Sequence, residues 1–236
     1  MNWRIIKIFK KKTGYNKSFY IPMIKAFKKK DYDKLRSIYN IYLSTAIKGN
    51  GKSRLESRYK DVLNFTNGNI GKCLDIGVGD ATITNFLATK FNTTIDAIDV
   101  MDNRVSNFEN VNFRLYNGED LPQNTYDTIF CFMCIHHIKN KEKVLKQIFN
   151  MLNKDGILII REHDAQNKND HIFLDIIHDI YDNVFNGYPT DVEETRVYLS
   201  KNELDSMLTN IGFNKIKHYD CKDVYMSFMC SYQKPF

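Results

Sequence analysis

From Gly71 onward the chain alternates short apolar runs with stretches of helical period, and few folds accept that order. Strand, helix and strand in succession lay each new strand parallel to the last, with helices packed on both sheet faces. Strands are expected at residues 73–76, 94–100, 111–116, 128–133 and 157–160. Helices are expected at 81–90 and 141–152, the second ended by Asn153–Gly156. The run 128–133 is almost wholly apolar, as suits a strand covered on both faces. Further helices are expected at 170–185 and 201–209. Ser200 and Glu203 form a capping box for the latter, and Gly212 stops it. Strand-like runs follow at 215–219 and 225–232.

Ligands of such sheets bind outside the carboxyl ends of the strands, near the switch in strand order. The residues after each strand are therefore the candidates. After the first come Asp75, Gly77 and Gly79. Two glycines allow a tight turn close to a ligand, and the next helix offers free N–H groups and a positive dipole end. Alone, this loop is a weak signal, with a plain strand-to-helix turn as the lesser alternative. A dinucleotide fingerprint would need glycine where Thr82 stands, and no Gly-Lys-Ser/Thr follows as in a P-loop. Asp99, 22 residues beyond Gly77, can accept bonds from two ribose hydroxyls, with Asp96 the weaker candidate. Asn117 can offer its side-chain carbonyl to an adenine amino group. Cys131, Phe132, His136 and His137 mark the fourth strand end. Arg161–Asp164 marks the fifth, as a solvated loop or as an acceptor-facing group.

These runs together resemble the class I S-adenosylmethionine-dependent methyltransferases, especially the type 11 methyltransferase domain. The matching stretches are Leu-Asp-Ile-Gly-Val-Gly-Asp-Ala at 74–81 and residues 98–100, 116–122, 126–138 and 152–160. The resemblance covers about residues 55–236. It implies an α/β, Rossmann-like fold: a seven-stranded, mostly parallel sheet with helices on both faces, its last hairpin inserting an antiparallel strand. It implies an enzyme with S-adenosyl-L-methionine as cofactor. By the same resemblance Asp75, Gly77 and Gly79 hold the methionine part, and Asp99 holds the ribose, with Val100 beside it. Asn117, Gly118 and Glu119 hold the adenine, and Cys131 and Phe132 line the methionine side. Two positions depart from the pattern: Ala81 replaces a third glycine, and Asp80 replaces a commoner small residue.

Methyl transfer needs a base only when the acceptor carries a proton, so the absence of a catalytic triad is no objection. The catalytic candidates are His163, Glu162 and His136; His163 suits proton removal near neutrality. His171, Asp175, His178 and Asp182 recur at helical spacing and read as a polar helix face, so no metal site is expected. Tyr188, Arg196 and Tyr198 suit a pocket lid.

Residues 1–68 read as a basic helical extension or lid, and 69–236 as the cofactor-binding methyltransferase domain. Residues 1–36 carry twelve Lys or Arg against two acids, so in a chain of net charge +6 the remainder is net acidic. Trp3, Ile5, Ile6, Ile8 and Phe9 interleave with these charges. That end suits an anionic acceptor, RNA or an acidic small molecule, or else a membrane surface or protein partner. An RNA or mRNA-cap methyltransferase and an inactive cofactor-binding regulatory subunit are the alternatives. Five cysteines, an odd number and mostly in apolar runs, suit reduced thiols in a cytoplasmic protein. The Cys131/Cys134 pair reads as core rather than as a metal or redox motif. No run reaches membrane-span length, and the basic start lacks the features of a secretory signal.

Overall fold

The computed structural model describes residues 17–31, 33–35, 37–38, 51–180, 196–221 and 226–235. Its centre is a seven-stranded sheet: β1 (Cys73–Ile76), β2 (Ile95–Asp99), β3 (Val111–Leu115), β4 (Tyr126–Phe132), β5 (Leu152–His163), β6 (Asn214–Asp220) and β7 (Ser227–Gln233). The strand order is β3-β2-β1-β4-β5-β7-β6. Strands β1 to β5 pair in parallel, and β7 runs antiparallel to both β5 and β6. The order reverses between β1 and β4, so the two halves of the sheet diverge there and leave a crevice at their carboxyl ends.

Alternation along the strands assigns each sheet face its helices. Leu74, Ile76, Ile129 and Leu158 face α4 (Lys141–Met151) and α6 (Lys201–Ile211), which contribute Val144, Ile148, Leu204 and Leu208. Cys73, Ile95, Phe130 and Ile159 face α2 (Gly51–Thr66) and α3 (Thr82–Phe91), which contribute Val62, Phe65, Leu87 and Ala88. Each large aliphatic side chain buried this way contributes about 1.5–3 kcal/mol. The contacts divide the chain into two compact units, one within 1–49 and 165–196 and the other within 50–164 and 197–236. The first includes α1 (Lys17–Lys28), with Met23, Ile24 and Ala26 buried, and α5 (Lys168–Ile180), with Phe173 and Leu174 buried. No helix among the described residues is long and apolar enough to cross a membrane.

Most sequence-expected elements lie within one or two residues of their structural bounds. One expectation needs correction. Strand β5 is far longer than 157–160: it starts at Leu152, directly after α4, and continues to His163. Its pairing with β4 steps from Tyr126–Leu152 to Thr128–Ile157, so residues 153–156 bulge out within the strand. At its far end Arg161, Glu162 and His163 pair with Met229, Phe228 and Ser227 of β7. They are buried strand residues and not a solvated loop. The N-terminal residues 1–16, Tyr188, Tyr225 and Asp182 lie outside the described residues.

The capping box of α6 is formed in full: the Ser200 hydroxyl accepts from the Glu203 amide, and the Glu203 carboxylate accepts from the Ser200 amide. Ser200→Ala removes one half of it and should cost about 1 kcal/mol. A fall in Tm of about 2–4 °C is expected by calorimetry; an unchanged Tm would show that the cap contributes nothing.

Candidate functional site

The turn after β1 is built from left-handed backbone. Gly77 (φ +75°), Gly79 (φ +57°) and Ala81 (φ +60°) all lie in that region. At Gly77 a side chain is also sterically impossible, because a Cβ would fall 2.4 Å from the Cβ of Cys134. At Gly79 a Cβ would meet nothing within 4 Å, so the loop borders open space there. Ala81 adopts the conformation that the missing third glycine would favour, at a strain of about 1–2 kcal/mol. Asp80, unexplained by the sequence, has a local role. Its Oδ1 accepts the Thr82 amide at 2.9 Å, placing a negative charge at the start of α3.

Asp99 at the end of β2 is tied to this loop. Its Oδ2 accepts the Gly79 amide at 2.8 Å, and its Oδ1 accepts the amides of Val100 and Met101. A carboxylate has about four lone-pair sites, so capacity remains for a hydroxyl donor. Val100, half exposed, lies beside Gly118, whose added Cβ would sit 3.3 Å from Val100 Cγ1. The Asn117 carbonyl oxygen accepts the amides of Glu119 and Asp120, and its Nδ2 donates to Asp120. The side chain expected to meet adenine therefore shapes its own loop. Glu119 pairs with Lys143 on α4 at 3.3 Å, an exposed contact of small energetic weight.

Asp75 is buried in β1 and receives the Thr84 hydroxyl of α3 at 2.6 Å. Burial pushes its carboxyl up to about 7. The Thr84 bond opposes that rise, and the charge of Asp99 adds to it. Cys131 at the end of β4 is buried and Phe132 half-buried, its ring stacked on Phe130 at 5.2 Å. The Cys134 thiol is pushed up by its contact with Cys131 and by burial, so these sulfurs behave as core.

The carboxyl ends of β4 and β5 bring the three catalytic candidates together. His136 lies in the 3-10 turn Ile135–His137 after β4. Its Nδ1 stands 2.6 Å from Glu162 Oε1, and its amide donates to Glu162 Oε2 at 3.1 Å. The His163 amide donates to Glu162 Oε1 at 2.7 Å. The buried carboxylate thus gathers three polar contacts, which offset its desolvation. Since a carboxylate only accepts, the proton of the shared contact belongs to His136 Nδ1, leaving Nε2 as the basic nitrogen. The Tyr198 ring stacks on His136 at 5.4 Å and meets His163 edge-on at 5.9 Å. Val197 donates its amide to the His136 carbonyl, which fixes this aromatic cover. His178 sits on α5 with Nδ1 3.0 Å from the Leu174 carbonyl. The sequence singled out Tyr198 as a lid candidate but did not foresee Thr84 as a neighbour of Asp75. Thr84 lies on the buried face of α3, nine residues past Asp75, and that spacing was a readable signal.

A sheet whose switch point faces a glycine turn and a tethered carboxylate defines an α/β protein that binds a nucleoside-bearing cofactor. A family model described as a methyltransferase domain matches residues 51–218, and the chain belongs to the class I S-adenosylmethionine-dependent methyltransferases. Among curated proteins, the ubiquinone biosynthesis O-methyltransferase of Rickettsia canadensis is 25% identical over 67% of this chain and 66% of its own length. A ubiquinone/menaquinone biosynthesis C-methyltransferase of Haemophilus ducreyi is 26% identical over 47% of each chain. The chain thus spans 47% to 66% of the length of these relatives. Among solved structures, a putative methyltransferase of Bacillus halodurans aligns with a TM-score of 0.58 at 15% identity, covering 78% of this chain and 100% of that one. Phosphoethanolamine N-methyltransferase 2 of Haemonchus contortus, solved with S-adenosyl-L-methionine, gives 0.58 at 14% identity over 77% and 53%. S-adenosyl-L-methionine is the cofactor of this family. The open space at Gly79, the tethered Asp99 and the Val100–Gly118 contact fit such a cofactor.

The raised Asp75 carboxyl has a consequence for stability. It titrates near 3.8 when unfolded and near 7 when folded, so the folded state holds the extra proton between those values. Its penalty is absent below the lower value, grows as pH rises, and is complete above about 7. Asp75→Asn should therefore stabilise the ligand-free protein at pH 8 by up to about 4 kcal/mol, with the gap shrinking toward pH 4. Urea unfolding at several pH values measures this, and a gap that ignores pH would disprove the desolvation.

Proposed function

We propose that this methyltransferase acts on a small acceptor carrying an ionisable proton, bound over the carboxyl ends of β4 and β5. We further propose that Asp75, Gly77, Gly79, Asp99, Val100, Asn117, Gly118, Glu119, Cys131 and Phe132 form the cofactor side. The observation that carries the reading is the His136–Glu162 contact of 2.6 Å inside a cluster whose members are at most 3% exposed. Bound cofactor supplies an electrophilic methyl group on a sulfonium. The protein must align the acceptor and take its proton. Glu162 fixes the ring of His136, His136 Nε2 accepts the proton, and His163 stands beside it, with ring centroids 5.3 Å apart. The Tyr198 ring gives the pocket an aromatic wall.

The relatives' names support a small acceptor, since both belong to ubiquinone biosynthesis, one methylating oxygen and the other carbon. An RNA polyanion would need an exposed basic groove, and this cluster is buried. Of the basic residues 1–36 that motivate an RNA acceptor or a membrane surface, 1–16 lie outside the described residues. A protein partner remains compatible with the fold: a Haloferax volcanii methyltransferase solved with the Trm112 activator aligns with a TM-score of 0.59 at 11% identity, covering 78% of this chain and 92% of that chain.

Labelled methyl groups should enter a pool of small phenols and carbon acids, and label in RNA instead would overturn the acceptor class. His136→Gln should lower kcat about 100-fold while leaving affinity for S-adenosylhomocysteine unchanged. Asp99→Ala should weaken that affinity about 10- to 100-fold, read by calorimetric titration. Unchanged affinity would misplace the ribose.

A further inference from the structure

We propose that His136, Glu162 and His163 form a binding site for a divalent transition-metal ion of the zinc, cobalt or ferrous kind. One ligating atom from each lies within 4.8 Å of the other two, and all three side chains are buried. Two imidazoles and one carboxylate are a donor set for these ions, with coordination positions left open for an exogenous ligand. Magnesium and calcium prefer oxygen donors, so the nitrogens argue against them. A tetrahedral ion bound at about 2.0–2.1 Å sets its donors about 3.4 Å apart. The three donors lie within 4.8 Å of one another, so small side-chain adjustments, including separation of the 2.6 Å His136–Glu162 pair, would bring them to that spacing.

The backbone prepares the same geometry. Glu162 is held by the amides of His136 and His163, so its carboxylate is fixed before any ion arrives. Tyr198 packs against both rings and limits their rotation. The proton between His136 Nδ1 and Glu162 Oε1 occupies the place an ion would take. Binding therefore exchanges that proton for the cation and releases it to solvent. An ion held there would supply Lewis-acid acidification of an acceptor hydroxyl, with His136, Glu162 and His163 as its ligands. The site rests on these three side chains and not on the acceptor class. Its test needs neither cofactor nor acceptor, so its failure is separable from failure of the methyl-transfer reading.

Untagged full-length protein is stripped with a chelator and titrated with Co2+. One equivalent should bind with visible d–d absorption typical of four- or five-coordinate cobalt. Zn2+ should raise Tm by several degrees, and Mg2+ should not. Glu162→Gln and His163→Asn should each abolish the cobalt band while the variants still bind S-adenosylhomocysteine, which verifies their fold. The proposal is overturned by no visible band in the wild type. It is equally overturned by thiolate charge-transfer bands that point to Cys131 and Cys134, or by a band that survives in the Glu162→Gln/His163→Asn double variant.

Discussion

The close approach of the β1 turn to the β4 turn governs the site. Gly77 leaves no room for a side chain against Cys134, and its amide donates to the Ile98 carbonyl of β2. One residue thus binds the ends of three adjacent strands, β2, β1 and β4, at the place where strand order reverses. The glycine is needed twice over, for its positive φ and for the contact. Once that backbone is fixed, Gly79 reaches Asp99, and the β2 carboxylate becomes part of the β1 loop. The donor side is therefore organised by main chain and needs few side chains of its own.

The proposed acceptor side is organised differently. It depends on a buried carboxylate, Glu162, that orients an imidazole from the neighbouring strand end. The sheet carries two such buried acids, and their surroundings differ. Glu162 meets two backbone amides and an imidazole, whereas the contact that eases the charge of Asp75 is the Thr84 hydroxyl. The difference follows from position. Asp75 lies within a paired strand whose backbone amides are committed to the ladder, while Glu162 lies next to a turn with amides to spare.

Much of this was legible in the sequence because it is written in local chemistry. The Gly77–Gly79 turn, Asp99 at the next strand end and the Ser200–Glu203 box each need only a few consecutive residues, and each lies where the pattern places it. What escaped were features set by pairing. Strand β5 carries polar residues through 163 because β7 covers its far edge, and no property of residues 161–163 announces that partner. Read alone, three polar residues after an apolar run mean solvent. Paired with β7 and capped by Tyr198, they mean a buried site. Asn117 shows local chemistry of the same kind: a short polar side chain followed by Gly118 accepts the amides of its own loop.

The extension of β5 also explains why the catalytic candidates converge. A strand stopping at residue 160 would leave Glu162 on a free loop, where side-chain and backbone entropy would oppose a fixed contact with His136. Pairing of 161–163 with β7 removes that freedom in advance, and the Met133 amide bonded to the Arg161 carbonyl locks the β4 turn to the same register. The antiparallel strand inserted between β5 and β6 therefore does more than close the sheet edge. It holds the end of β5 rigid so that a carboxylate can aim a histidine from the adjacent turn. In this fold the positioning of the proposed acceptor chemistry depends on the hairpin most distant in sequence from the β1 turn.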